Sequence, residues 1–112
     1  MNNPQRGEVW IVDLGYAAKI RPCLVISVPA LDQDRALVTL IPHTTQPRGS
    51  RFEVFAEARY LKQGVFDTQN LISVPHAKLI RRLGTLNDTQ ISAIEQSLRM
   101  WLGFDFPTSS ST

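Results

Sequence analysis

The most constraining feature of this chain is how its apolar residues are divided. Through residues 7–75 they come in short runs separated by proline, glycine and other turn residues, and only residues 87–103 carry them at three- and four-residue intervals. That division predicts a mainly β fold with a small α part.

Residues 7–14, rich in Val, Ile and Trp and closed by Gly15, read as a first strand. Residues 22–28 are almost continuously apolar, which suits a strand covered on both faces, and Pro29 ends it. Residues 35–41 alternate and are expected to stop at Pro42. Residues 45–50 carry Pro47, Gly49 and Ser50 and read as an exposed loop. Residues 51–55 have the period of a half-buried strand, and residues 64–74 supply one or two more, broken near 67–70 by a bulge or turn. Residues 75–83 predict a short helix or helical turn ending at Gly84. Asn87 or Asp88 then caps a second helix, with Gln90 placed to complete a capping box and Ile91, Ile94, Leu98, Trp101 and Leu102 on its apolar face up to Gly103. Five to seven short strands with a C-terminal amphipathic helix is the pattern of a small SH3-like barrel.

A length of 112 residues suits one domain over 1–112, with a core at 6–103 and a frayed tail at 104–112. A net charge of +2 permits a polyanionic partner without demanding one. The positive residues group as Lys19 with Arg21, Arg48 with Arg51, and Lys78 with Arg81 and Arg82; by spacing alone, solvated faces are the simpler reading. Cys23 is the single cysteine and lies in an apolar run, so it reads as a small buried hydrophobe rather than a nucleophile. With only His43 and His76 beside it, a transition-metal site would need mostly carboxylates, and neither metal nor cofactor is expected. Phosphate-loop, dinucleotide-fold, HExxH and nucleophile-elbow motifs do not occur. Nor does a run of about 18 apolar residues or a signal-like N-terminus, so no membrane is expected and the cytoplasm is the expected address.

What remains is a set of polar groups near strand ends. Arg21 precedes Pro22 at the start of a buried strand; its guanidinium could hold a phosphate through two hydrogen bonds and offset charge on a pentacoordinate phosphorane. His43, Thr44 and Thr45 put an imidazole and two hydroxyls at one rim, where a hydroxyl can bind the scissile phosphate and an imidazole can move a proton. A surface arginine and a solvated histidine remain the simpler readings by spacing alone. Arg48 and Arg51 flank the loop and could follow an RNA backbone. Phe52 and Phe66 could stack on bases or pack in the core.

Arg6-Gly7-Glu8-Val9-Trp10-Ile11-Val12-Asp13 followed by Arg21-Pro22-Cys23-Leu24-Val25-Ile26-Ser27 resembles the opening of the MazF/PemK/Kid toxin family. The resemblance continues through residues 40–45, Phe52-Glu53-Val54 and residues 79–86, covering roughly 6–103. It implies an SH3-like barrel that dimerises with itself, binds single-stranded RNA across the interface, and is neutralised by a cognate antitoxin. The implied reaction is that of a metal-independent endoribonuclease, an mRNA interferase: the RNA 2′-hydroxyl attacks the adjacent phosphate, leaving a 2′,3′-cyclic phosphate and a 5′-hydroxyl. Arg21 falls on the family's catalytic arginine and Thr44 on its catalytic threonine, with Thr45 as neighbour. Lys19, Arg48, Arg51, Gln69 and Asn70 are the expected RNA contacts.

Two departures bear on mechanism. Residues 15–20 form a shorter loop than in many relatives and lack their glycine- and basic-rich insert, so substrate recognition is expected to differ. Gln69-Asn70-Leu71-Ile72 stands where relatives carry an acidic residue and a nearby arginine, which leaves Asp67 or His43 as the compensating proton-transfer group. Two other readings stay open. A CcdB-like gyrase poison shares the fold but ends in Trp-Gly, whereas nine residues follow Trp101-Leu102-Gly103 here. A catalytically inactive RNA- or protein-binding barrel is the third.

Overall fold

The computed structural model describes residues 3–15 and 19–104. Seven antiparallel strands follow one another: β1 (Glu8–Asp13), β2 (Ile20–Val25), β3 (Leu37–Thr44), β4 (Glu53–Phe55), β5 (Val65–Asp67), β6 (Ile72–Pro75) and β7 (Leu79–Thr85). One helix, α1 (Asp88–Leu102), closes the described chain. The strands are ordered β4-β5-β3-β2-β1-β7, with β6 paired to β3 off that path, so the sheet curls as a barrel-like layer without closing.

Two cores form because the central strands are covered on both faces. Val9, Leu24, Ile41 and Phe66 pack with Ile94 of α1, while Val12, Cys23, Val25, Val38 and Leu40 pack with Val74. Leu24 faces one core and its neighbours Cys23 and Val25 the other, as strand alternation requires. Burial pushes the Cys23 thiol up to about 12, so it is an inert apolar group. Helix α1 starts as its sequence predicts: Asn87 accepts from the Gln90 backbone at 2.8 Å while the Gln90 side chain accepts from the Asn87 N–H at 3.0 Å. It ends at Gly103 in a left-handed conformation, φ +75°.

Three expectations need correction. Residues 75–83 are not a helix: a 3-10 turn at His76–Lys78 passes directly into β7, whose pairing with β1 overrides local helical propensity. Strand β3 does not stop at Pro42 but runs to Thr44. Along one edge β3 pairs with β6 over Leu37–Leu40 and with β5 at His43 and Thr44, and Pro42 falls in the gap, where a missing N–H breaks no ladder bond. Likewise β2 starts at Ile20, with Arg21 and Pro22 inside it, before the β2–β3 ladder begins at Cys23. Of the tail, residues 105–112 lie outside the described residues.

Candidate active-site groove

At the start of β2 and the end of β3 lies an open groove of about 620 Å³. Ile11, Pro22 and His43, from three adjacent strands, line it, and Ile11 pairs with Pro22 on one side and Arg81 on the other. Lys19, Arg21, Thr44, Thr45 and Gln46 line it from the β2 and β3 ends, and Tyr60, Lys62 and Arg81 add the remaining polar lining. Four cationic side chains therefore share a groove with no Asp or Glu among its described lining residues. Such a surface carries a positive potential suited to phosphate.

Sheet register brings the two expected catalytic residues together. The β2–β3 ladder pairs Cys23 with Pro42; carried two residues further, the same register sets Arg21 level with Thr44 and Pro22 level with His43. Thr44 is half-buried and its Oγ1 accepts from the Gln46 N–H at 3.1 Å, which leaves the hydroxyl proton to be donated. Thr45 is exposed beside it.

His43 is not the solvated loop histidine that spacing suggests. It pairs across β3 and β5 with Phe66, which pairs with Val54, and this row faces the core. The imidazole is 3% exposed and meets the Phe66 ring edge-on at 5.0 Å. Its Nε2 is buried without a hydrogen-bond partner, the only such side-chain atom among the described residues. Burial, and secondarily the charge of Arg21, lower its pKa below the ordinary histidine value, so the ring is neutral near pH 7. Gly64 closes against the same place: a Cβ there would stand 2.2 Å from the Thr44 carbonyl oxygen and 2.8 Å from His43 Cε1.

The other expected contacts lie outside the groove. Arg48 belongs to a loop held by Glu53, whose carboxylate accepts from the backbone N–H groups of Arg48, Gly49 and Ser50 at 2.9–3.1 Å. Those hydrogen bonds, led by Arg48, hold the Glu53 pKa below its usual range. Arg51 lies with its guanidinium 4.5 Å over the Phe52 ring. Asp67 caps a 3-10 turn, accepting from Gln69 N–H at 3.1 Å and Asn70 Nδ2 at 2.6 Å, so these three residues fix one another and do not reach the groove. Phe52 and Phe66 are core residues, at 7% and 0% exposure. Lys19 does line the groove, in a left-handed conformation with its N–H on the Gly15 carbonyl; the rest of that short loop, 16–18, lies outside the described residues.

Tyr60, Lys62 and Arg81 were not expected at this site. Arg81 was hidden by the helical reading of residues 75–83. Tyr60 and Lys62 sit in an aperiodic connection that only tertiary contact locates: the Tyr60 hydroxyl donates to the Thr85 carbonyl at 2.6 Å and its ring packs on Gly84. Among the described residues, no three of His, Cys, Asp and Glu gather where they could hold a metal ion. Nor, among the described residues, is any helix long and apolar enough to cross a membrane.

Fold and groove together define a small antiparallel β protein with a cationic groove at a strand end. Residues 5–102 match the family of PemK-like, MazF-like toxins of type II toxin-antitoxin systems, and the chain belongs to that family. It is 30% identical over 107 residues to endoribonuclease MazF1 of Mycobacterium bovis, covering 96% of this chain and all of that one. Endoribonuclease MazF4 of Mycobacterium tuberculosis matches to the same extent. Among solved structures, a mycobacterial endoribonuclease in complex with its cognate antitoxin superposes with a TM-score of 0.79 at 27% identity, covering 93% of this chain and 99% of the other.

Proposed function

We propose that this toxin is a metal-independent endoribonuclease that cuts single-stranded mRNA in the cytoplasm, acts as a homodimer, and is held inactive by a cognate antitoxin. The observation that carries this reading is the meeting of Arg21, His43 and Thr44 in one cationic groove with no Asp or Glu among its described lining residues. Its relatives' names, and a relative's complex with an antitoxin, support the substrate class and the partner.

In the proposed reaction the 2′-oxygen forms a bond to phosphorus, the bond to the 5′-oxygen breaks, and a 2′,3′-cyclic phosphate and a 5′-hydroxyl result. Arg21 binds the phosphate oxygens through its planar guanidinium and offsets the charge that grows on them. Thr44 donates its hydroxyl to the same phosphate. The 2′-hydroxyl must lose a proton and the leaving oxygen must gain one. His43 lines the groove and is neutral, and it is the candidate to accept and return that proton once substrate binding brings its buried Nε2 within hydrogen-bond reach, with Thr45 in support at the rim. Asp67 is committed to its own turn and is left out of this assignment.

The test is incubation of long single-stranded RNA with the purified protein in EDTA, alongside Arg21→Ala, with mapping of the fragment ends. Site-specific cuts with 5′-hydroxyl ends, slowed about 10²- to 10³-fold in the variant, are expected. Intact RNA would refute the reading.

A further inference from the structure

Next to the groove, sharing Thr45 with it, lies a hollow of about 350 Å³ lined by Thr45, Pro47, Phe55, Gln63, Gly64 and Val65. Phe55 pairs with Val65 and Val65 with Thr44, so these three side chains follow one another on a single sheet face, about 10 Å from end to end. The neighbouring row of Val54, Phe66 and His43 faces the core. Alternation thus leaves Phe55 57% exposed, whereas Phe52 and Phe66 are buried. No charged side chain lines this hollow; the cations stand in the groove beside it. A charged track beside an exposed aromatic platform is how single-stranded nucleic acid is held without duplex geometry.

We infer that the hollow is a nucleobase subsite: a nucleotide flanking the scissile phosphate stacks its base on Phe55, and the Gln63 amide, donor and acceptor at once, reads one edge of it. The subsite rests on the endoribonuclease reading above. It accounts for a large aromatic left exposed at the end of β4, in the same cross-strand row as the candidate catalytic threonine. Phe55 and Gln63 are specificity-determining residues here, and neither takes part in bond breaking.

The test uses the full chain and its Phe55→Ala, Phe55→Trp and Gln63→Ala variants on a long RNA of mixed sequence, mapping all cut sites, with KM measured on a short oligonucleotide containing the preferred site. Phe55→Ala should raise KM roughly 5- to 150-fold, the loss of one base–aromatic stack, and relax the base preference at one position next to the cut. Phe55→Trp should keep both. Gln63→Ala should relax the same position with a smaller rise in KM. Melting temperatures should match the wild type, because both side chains are exposed. Unchanged cut sites and KM in Phe55→Ala and Gln63→Ala, with an active wild type, would overturn the subsite while leaving the ribonuclease reading intact. Loss of antitoxin-peptide binding with unchanged RNA cleavage would assign the hollow to a protein partner instead. A wild type that leaves RNA intact would remove the underlying reading and the subsite with it.

Discussion

Gly64 is where the chain entering β5 presses against the end of β3, and replacing it with alanine tests whether that approach sets the site. The added methyl would lie 2.2 Å from the Thr44 carbonyl oxygen, a backbone atom that cannot rotate away as the tip of a flexible side chain could. Relief requires the two strands to part by about 1 Å. Overpacking of this kind costs about 1–3 kcal/mol, a fall of roughly 5–15 °C in Tm for a domain near this size. The displacement also carries the Thr44 hydroxyl and the His43 ring with it, and a misplacement of about 1 Å costs about 10²-fold in rate. Cleavage of an RNA oligonucleotide at 25 °C, with thermal melting in parallel, separates the two effects. Gly103→Ala is the control: its φ of +75° makes alanine costly by about 1 kcal/mol, but nothing lies within 4 Å and the groove is remote. If Gly64→Ala melts early yet keeps its kcat, the close approach does not position Thr44. An unchanged Tm would refute the clash itself.

Other outcomes follow from the same structure. The His43 pKa is depressed in the folded state, so between the unfolded value near 6.5 and the lower folded one the unfolded chain binds more protons, and stability falls as pH drops from 7 toward 5. The slope of Tm against pH over that range should flatten in His43→Phe, and the contribution of Glu53 should emerge only below about pH 4.5. Binding of a non-cleavable single-stranded RNA should weaken with salt, and Lys62→Ala or Arg81→Ala should each reduce the log–log slope by about 0.7, while Lys78→Ala, outside the groove, leaves it unchanged. Asn87→Ala removes the reciprocal cap of α1 and should cost about 1 kcal/mol by chemical denaturation, with Asn87→Asp restoring most of it.

Where local chemistry decides a structure, it was legible in the sequence. The box of Asn87 and Gln90 and the left-handed Gly103 bound α1 because both ends are satisfied within a few residues. The apolar run around Cys23 identified a strand buried on both sides because no other element can hide it. Residues 79–85 misled because Leu79, Leu83 and the charged pair Arg81-Arg82 fit a helical turn as well as an edge strand, and only the ladder to β1 chooses between them. Proline was likewise read as a stop at Pro42, whereas the change of partner along the β3 edge makes it harmless there. Arg21 and Thr44 stand out as polar groups near strand ends, and the family resemblance gives them their expected roles; Lys62 and Tyr60 carry no signal of either kind, since their position depends on how the connection after β4 folds back over Gly84.

The division of labour at the end of β3 follows from alternation alone. His43 and Thr44 are adjacent in sequence, so one must face the core when the other faces out. With Phe66 opposite it, the imidazole takes the apolar side, loses its charge and has no partner for Nε2. With Val65 opposite it, Thr44 faces outward along the row that ends at Phe55. Arg21 is close enough to depress the histidine further, so the cation proposed to bind phosphate also helps to keep the neighbouring ring neutral. A carboxylate in the groove would undo both effects at once: it would raise the histidine's pKa and repel the substrate's phosphate. The absence of Asp and Glu from the described lining, set against Asp67 held in its own turn, is therefore consistent with the proposed site, in which the acid–base group is a neutral imidazole and the charge is supplied by arginine and lysine.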